Sequence, residues 1–291
     1  MSGWVAVFAD AAHGPCAERS LVLTSLNIPH EILQEGDRYV LAVPSDVAER
    51  AKFELWQYEE ENRAQQRPAP PPPMPTRDPL PGLLFYIGAI GLFAWLAADT
   101  IFGHDWLARG RIDGYALRSG ELWRPFTALT LHLNLRHLVG NMVFGALFGF
   151  FAGRLAGSGV GWLAILLAAA VANGVNTLLL DPSHRSIGAS TAVFAALGLS
   201  SGFVWWGKLL TQERWPYRWG PVVGGIALLA FTGTGSENTD VGAHLMGFAS
   251  GFLAGMALTR LEPLLSAPRV QLGCGIAALT VLIGSWWVAL S

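Results

Sequence analysis

The chain has 291 residues, of which 52% are hydrophobic and only 14% charged, where an ordinary soluble domain carries about 25% charged residues. Twelve tryptophans and 34 glycines suit a bundle of membrane helices, with Trp at the interfaces and Gly at helix contacts. A formal net charge of −2 argues against nucleic acid as a main partner, and nothing about the two cysteines, Cys16 and Cys274, suggests a disulfide framework or a metal knuckle.

The first residues, MSGWVAVFADAAHG, carry neither a basic leader nor a long apolar core, so no cleaved signal peptide is expected. Trp4 to Ala9 reads as a strand and Gly14 to Asn27 as a helix with apolar positions Leu21, Val22 and Leu26. Ile32 to Leu33 and Tyr39 to Val43 read as paired strands around Glu35-Gly36-Asp37. A second helix is expected from Ser45 to Asn62. Residues 1–66 thus form a small soluble α+β domain, cytoplasmic in the orientation argued below. The domain is acidic on balance, which excludes a basic lipid-binding patch. It is expected to be an appendage without chemistry, with His13 and His30 on its surface. Residues 67–81 are a linker: eight prolines in the fourteen positions from Pro68 to Pro81 favour an extended polyproline spacer.

Seven apolar runs follow, at 82–98, 138–153, 159–180, 187–207, 219–233, 241–259 and 270–290. The fifth is short, and its Gly224-Gly225 pair reads equally as a candidate gate or as a place of close packing. With the N-terminus in the cytoplasm, the inside connections hold Arg154, then Lys208, Arg214 and Arg218, then Arg260 and Arg269. The outside connections 181–186 and 234–240 hold only Arg185 among basic residues. The segment 99–137, with Arg109, Arg111, Arg118, Arg124 and Arg136 on the outside, breaks this rule and is expected to be a folded structure of its own. Seven spans then place Ser291 outside.

Two of the runs share a design. In the fourth, Ser190, Phe194, Gly198 and Gly202 form one face, a hydroxyl above a mostly small stripe. In the sixth, His244 lies about one turn inside the outer end, above Gly247, Gly251 and Gly255. A lone Ser in such a helix ordinarily bonds a carbonyl one turn back. Two stripes at matched depth change that reading, because packing them together brings the hydroxyl and the imidazole within reach. A polar cluster precedes them. His137 and Asn141, four residues apart, share a face of the second run, and polar groups entering a bilayer face a partner or a wet cavity. His132 falls outside that helix or at its first turn. No HExxH occurs and Glu121 is distant along the chain, so no metal is expected, nor any cofactor. Trp123 reads as an interfacial anchor, and Arg124 as the partner of Glu121 or of a lipid phosphate.

With these residues in view, the chain resembles the rhomboid intramembrane serine proteases over about 82–260. The first-loop WR pair is Trp123-Arg124. The HxxxxHxxxN pattern is His132, His137 and Asn141, the GxS motif is Gly188-Ala189-Ser190, and the AHxxGxxxG pattern is Ala243-His244, Gly247 and Gly251. The resemblance implies an all-α polytopic bundle: a six-span core at 82–260, with a connector and an added seventh helix at 261–291. It also implies a Ser190–His244 dyad, with His137, Asn141 and the Ser190 backbone N–H serving the oxyanion. Two residues depart from the pattern. Thr191 replaces a Gly common after the serine. Phe194 replaces a Tyr that stacks on the histidine in some members, keeping the ring and losing the hydroxyl.

The expected reaction is hydrolysis of transmembrane protein substrates near the outer face of a bacterial inner membrane. Helix-weakening residues in the substrate expose the peptide bond, which helices otherwise hide. The rival readings are an inactive rhomboid-like protein that binds membrane clients, disfavoured by intact Ser190 and His244, and a transporter, disfavoured by spans almost without charge.

Overall fold

The computed structural model describes residues 3–65, 76–98, 101–207, 223–224, 227 and 240–291. The chain divides into two compact units, Met1–Pro70 and Pro71–Ser291.

The first unit contains β1 (Trp4–Asp10), α1 (His13–Ser25), β2 (Glu31–Glu35), β3 (Arg38–Pro44) and α2 (Ala48–Gln65). The sheet order is β1-β3-β2, with β3 antiparallel to both neighbours. Glu35 pairs with Arg38, leaving Gly36-Asp37 as a two-residue turn. Gly36, at φ +67°, takes the left-handed conformation that such tight hairpins require. Leu23 from α1, Leu41 and Val43 from β3, and Ala51 and Leu55 from α2 form a core of this unit's own. The α2 helix starts at Ala48 rather than at Ser45, because Ser45 lies in the turn that leaves β3, held there by its N–H donating to the Gly3 carbonyl at 3.0 Å.

The second unit opens with α3 (Leu80–Ala98), then α4 (Trp106–Gly110), β4 (Ile112–Asp113), α5 (Gly114–Arg118) and α6 (Arg124–Thr127). It continues with α7 (Leu135–Ala156), α8 (Ser158–Leu179), β5 (Arg185–Ser186), α9 (Ser190–Trp206), α10 (Val241–Thr259), α11 (Glu262–Leu265) and α12 (Pro268–Leu290). Among the described residues, five helices are long and apolar enough to cross a membrane: α3, α7, α8, α10 and α12, of 19 to 23 residues. At 1.5 Å rise per residue these span roughly 28–35 Å, about the hydrocarbon thickness of a bilayer. Their outward side chains, such as Leu84, Val143, Val171, Leu253 and Ile283, are apolar and exposed, as a lipid-facing surface requires. The α9 helix is shorter, at 17 residues. The run expected at 219–233, with its Gly224-Gly225 pair, lies outside the described residues apart from 223, 224 and 227.

The expected linker also extends too far. Its stretch 66–75 lies outside the described residues, but Pro81 sits in the first turn of α3, where its missing N–H costs nothing. Just before it, Arg77 is anchored. Its backbone N–H donates to the Arg154 carbonyl at 3.0 Å, and its guanidinium reaches the Leu155 carbonyl, Glu262 and Ser266. The α12 helix is equally well tied. Gln271 donates to the carbonyls of Ala156 and Leu265 and accepts from the N–H groups of Gly159 and Val160, pinning the α7–α8 corner. Near its other end Trp286 stacks on Phe93, with ring centroids 4.9 Å apart, and donates to Thr130 at 3.2 Å.

Of the segment 99–137, the described residues 101–137 are folded, as its arginine content suggests. Arg124 is only 8% exposed. It pairs with Glu121 at 2.6 Å and donates to the carbonyls of Ala108 and Arg111, so it braces three turns of this segment rather than meeting a lipid phosphate. Trp123 is half-buried against the cluster of Leu96, Trp106, Leu131 and Trp286, and is a packing residue rather than a free interfacial anchor. Arg118 donates to the carbonyls of Thr177, Leu178 and Leu180, satisfying the last turn of α8.

Candidate active site

The start of α9 decides where Ser190 points. An apolar run expected from Ile187 becomes helical only at Ser190, because Gly188 sits at φ +132°, a conformation L side chains rarely adopt. The Gly188 N–H donates to the Ala128 carbonyl at 3.0 Å. Just upstream, β5 pairs with β4, Ser186 opposite Ile112 and Arg185 opposite Asp113. Asp113 also caps α5 and binds Arg185 at 3.0 Å. Burial works against its charge, but the Ala116 N–H and the Arg185 guanidinium outweigh burial and hold its carboxyl below the usual range. The serine is thus delivered by a tight turn between a small sheet and a helix N-terminus.

Close packing brings α10 to α9. A Cβ added to Gly247 would lie 2.6 Å from the Thr191 carbonyl oxygen, and one on Gly251 would meet the Ala195 backbone. Gly255 approaches Leu199 and Phe203 in the same way, and Gly198 and Gly202 receive the backbone at Phe248 and Phe252. The stripes therefore do not face each other glycine to glycine. Those of α10 seat the row Thr191, Ala195 and Leu199, while those of α9 seat the Phe248–Phe252 edge. Only the first of these contacts bears on Thr191: it is buried and carries the carbonyl on which Gly247 rests.

This packing sets Ser190 Oγ 2.8 Å from His244 Nε2, across 54 residues of sequence. Phe194 lies beside the imidazole with ring centroids 4.7 Å apart and planes inclined by 33°. His244 is 7% exposed, and its Nδ1 makes no hydrogen bond among the described residues.

On α7, Asn134 caps the helix and accepts the His137 N–H at 2.9 Å. The helix therefore begins at Leu135, three residues before the apolar run, and His137 and Asn141 stand one turn apart on its first two turns. Both side chains converge on Gly188. A Cβ there would be 2.8 Å from His137 Nε2 and 3.6 Å from Asn141 Nδ2. Asn141 Nδ2 is buried without a hydrogen bond among the described residues, while its carbonyl accepts from Tyr86 at 2.7 Å. His132 precedes the helix, 5.2 Å from the His137 ring, and its Nε2 accepts from the Ala189 N–H at 3.5 Å. Burial, and then the neighbouring His137, push its pKa down to about 4.

Ser190, His244, His137, Asn141, Gly188 and Phe194 all line one cavity of about 1030 Å³. His132, Gly247 and Gly251 stand behind this lining, and Trp123 and Arg124 belong to the brace of the 99–137 segment. Sequence reasoning gave no site role to four further lining residues, Arg111, Arg136, His184 and Asp240. The signal for Asp240 was its spacing: it lies four residues before His244, a helical turn.

Fold and site together define a multi-pass integral membrane protein with a serine and a histidine in contact at one end of its bundle. Residues 119–261 match the rhomboid domain. The chain is 31% identical to Rhomboid-like protease 3 of Toxoplasma gondii over 178 residues, 58% of this chain and 65% of that protein. It is 30% identical to Rhomboid protease GluP of Bacillus subtilis over 154 residues, 52% of this chain and 29% of the relative. It is 31% identical to the chloroplastic Rhomboid-like protein 11 of Arabidopsis thaliana over 136 residues, 46% and 44% of the two chains. The chain spans less than two thirds of the length of each relative. The domain match and these relatives support membership of the rhomboid family.

Proposed function

We propose that this protein is an intramembrane serine peptidase that hydrolyses peptide bonds of transmembrane protein substrates. The observation that carries the proposal is the 2.8 Å contact between Ser190 Oγ and His244 Nε2. In the productive state His244 bears its proton on Nδ1, so Nε2 accepts the Ser190 proton as the hydroxyl oxygen attacks the scissile carbonyl. The carbonyl π electrons move onto oxygen. Three donors serve this oxyanion: the Ser190 N–H in the first turn of α9, where helical N–H groups lack internal partners, and the side chains of His137 and Asn141. The imidazolium then protonates the leaving amine, and water, deprotonated by His244, frees the acyl group from Ser190. With no carboxylate on Nδ1 of His244 among the described residues, stacking on Phe194 holds the ring, in place of the third member of a triad.

Arg154, Arg260 and Arg269 lie at the helix ends away from the site, which supports a site end that faces outside, in our reading of a bacterial inner membrane. The N-terminal unit is then cytoplasmic. Substrates unwind locally to enter the cavity, since a membrane helix otherwise keeps its peptide groups hydrogen-bonded.

The test is cleavage of a single-span reporter in liposomes. Wild type is expected to cut it, and Ser190→Ala and His244→Ala are not. A fluorophosphonate probe should label wild type and spare Ser190→Ala. Cleavage surviving in both variants would remove the dyad. Wild type that neither cleaves nor labels would point instead to a client-binding rhomboid protein.

A further inference from the structure

We infer that Asp240 is a positioning residue for the reaction, a buried carboxylate that acts through His244 by stabilising its protonated form. The inference rests on the Ser190–His244 reading above.

Asp240 is the N-cap of α10, and its Oδ1 accepts the Ala243 N–H at 2.9 Å. A cap needs no more than that, and Asn or Ser caps as well as Asp. Yet this carboxylate is held from two other elements as well. Asn176 Nδ2, from α8, lies 3.0 Å from each of its oxygens. His184 Nε2, from the turn that leads into β5, donates to Oδ2 at 2.9 Å. The Asp240 side chain is only 15% exposed, and it lines the same cavity as Ser190 and His244.

The N-cap position keeps this charge within one turn of the histidine: the His244 N–H donates to the Asp240 carbonyl oxygen at 3.2 Å, and both residues line the one cavity. His244 becomes a cation when it takes the Ser190 proton, and its own Nδ1 touches no carboxylate among the described residues. A carboxylate fixed nearby, in surroundings drier than bulk water, stabilises that cation without touching it.

The other groups facing this pair are His137 from α7 and the uncharged Phe194 from α9 on the histidine side. His184 and the neutral Asn176 face the carboxylate. Arg111, Arg136 and Arg185 also line the cavity, and Arg185 is engaged by Asp113. A carboxylate in this place has the sign that an imidazolium requires.

The experiment uses the full chain in liposomes, with the reporter cleaved across a range of pH by wild type, Asp240→Asn and Asp240→Ser. Both substitutions keep a capping side chain, and thermal unfolding checks that each variant folds. The expected result is a kcat lowered by about three- to tenfold with KM little changed. The acid limb of the kcat/KM profile should also move to lower pH, because the neighbouring negative charge is gone. His184→Gln, which keeps the carboxylate, should leave that limb in place. A rate that falls with no movement of the limb means Asp240 is only a cap, and overturns the inference. Unchanged kinetics in either neutral variant overturn it too, while leaving the dyad intact. Loss of the dyad itself is read separately, as cleavage that persists in Ser190→Ala.

Discussion

Gly188 carries more of the site than its size suggests. Its φ of +132° turns the chain into α9, and the space a Cβ would take is filled by the His137 ring, with Asn141 in contact beside it. Gly188→Ala is expected to abolish reporter cleavage, both by straining the turn and by displacing the His137 ring. If they serve the oxyanion, His137→Ala and Asn141→Ala each lower kcat by about 10²- to 10³-fold with little change in KM. Steady-state kinetics on the reporter separate this from a binding defect. His132 links the site to pH in another way. Its pKa is about 4 in the folded protein, against an ordinary 6.5, so the unfolded chain binds the proton first as pH falls. Stability tied to this residue is complete above about 6.5 and is lost progressively as pH drops toward 4. Thermal unfolding in detergent should fall across that window, and less steeply in His132→Gln. The motifs at this scale were legible in sequence because their spacing, HxxxN on a helix and GxS before one, is local. Asp240 was not, because its partners Asn176 and His184 are distant in sequence and only the fold assembles them.

At the scale of elements, the α9–α10 pair governs whether Ser190 and His244 meet. Gly251 rests on the Ala195 backbone, where nothing can rotate away. Gly251→Ala should therefore push the helices apart, destabilise the bundle by about 1–3 kcal/mol and lower cleavage. Gly88 on α3 has open space around its Cβ position, so Gly88→Ala should be neutral or slightly stabilising, since Ala is the better helix former by about 1 kcal/mol. Comparing the two unfolding midpoints isolates close approach from helix propensity. Small-residue stripes are readable along a sequence. Which partner each stripe receives is not, because every apolar helix offers several faces. Here the glycines of one helix seat larger residues of the other. The helix starts also escaped periodicity. Asn134 extends α7 backward by a cap, and Gly188 delays α9 by a turn, and neither residue changes the hydropathy of its run.

For the whole molecule, α12 extends the architecture and ties it together. Gln271 holds the α7–α8 corner, while Trp286 packs on Phe93 and Trp106 and bonds Thr130. Through Thr130 and Leu131 this end of α12 supports the 99–137 segment, whose Ala128 carbonyl receives the Gly188 N–H. Trp286→Ala opens a large cavity there and is expected to cost about 3–5 kcal/mol. Reporter cleavage should fall with it, as the floor under the Gly188 turn loosens. Thermal unfolding and kinetics of the same preparation test both effects.

What the sequence determined by itself was whatever depends on near neighbours or on composition. Charge scarcity marked the membrane spans, short strand-like and helix-like stretches around a Gly-bearing turn marked the small α+β unit, and fixed spacings marked the polar residues that enter the apolar runs. The tertiary structure alone decided which of those residues touch. Arg124 left the surface to brace carbonyls thirteen and sixteen residues back along the chain, and Asp240 gained ligands from two other elements. Ser190 and His244 came to 2.8 Å across 54 residues. Such contacts follow from how closely one helix backbone can approach another. That distance is a property of two packed surfaces together, and neither stretch of sequence contains it alone.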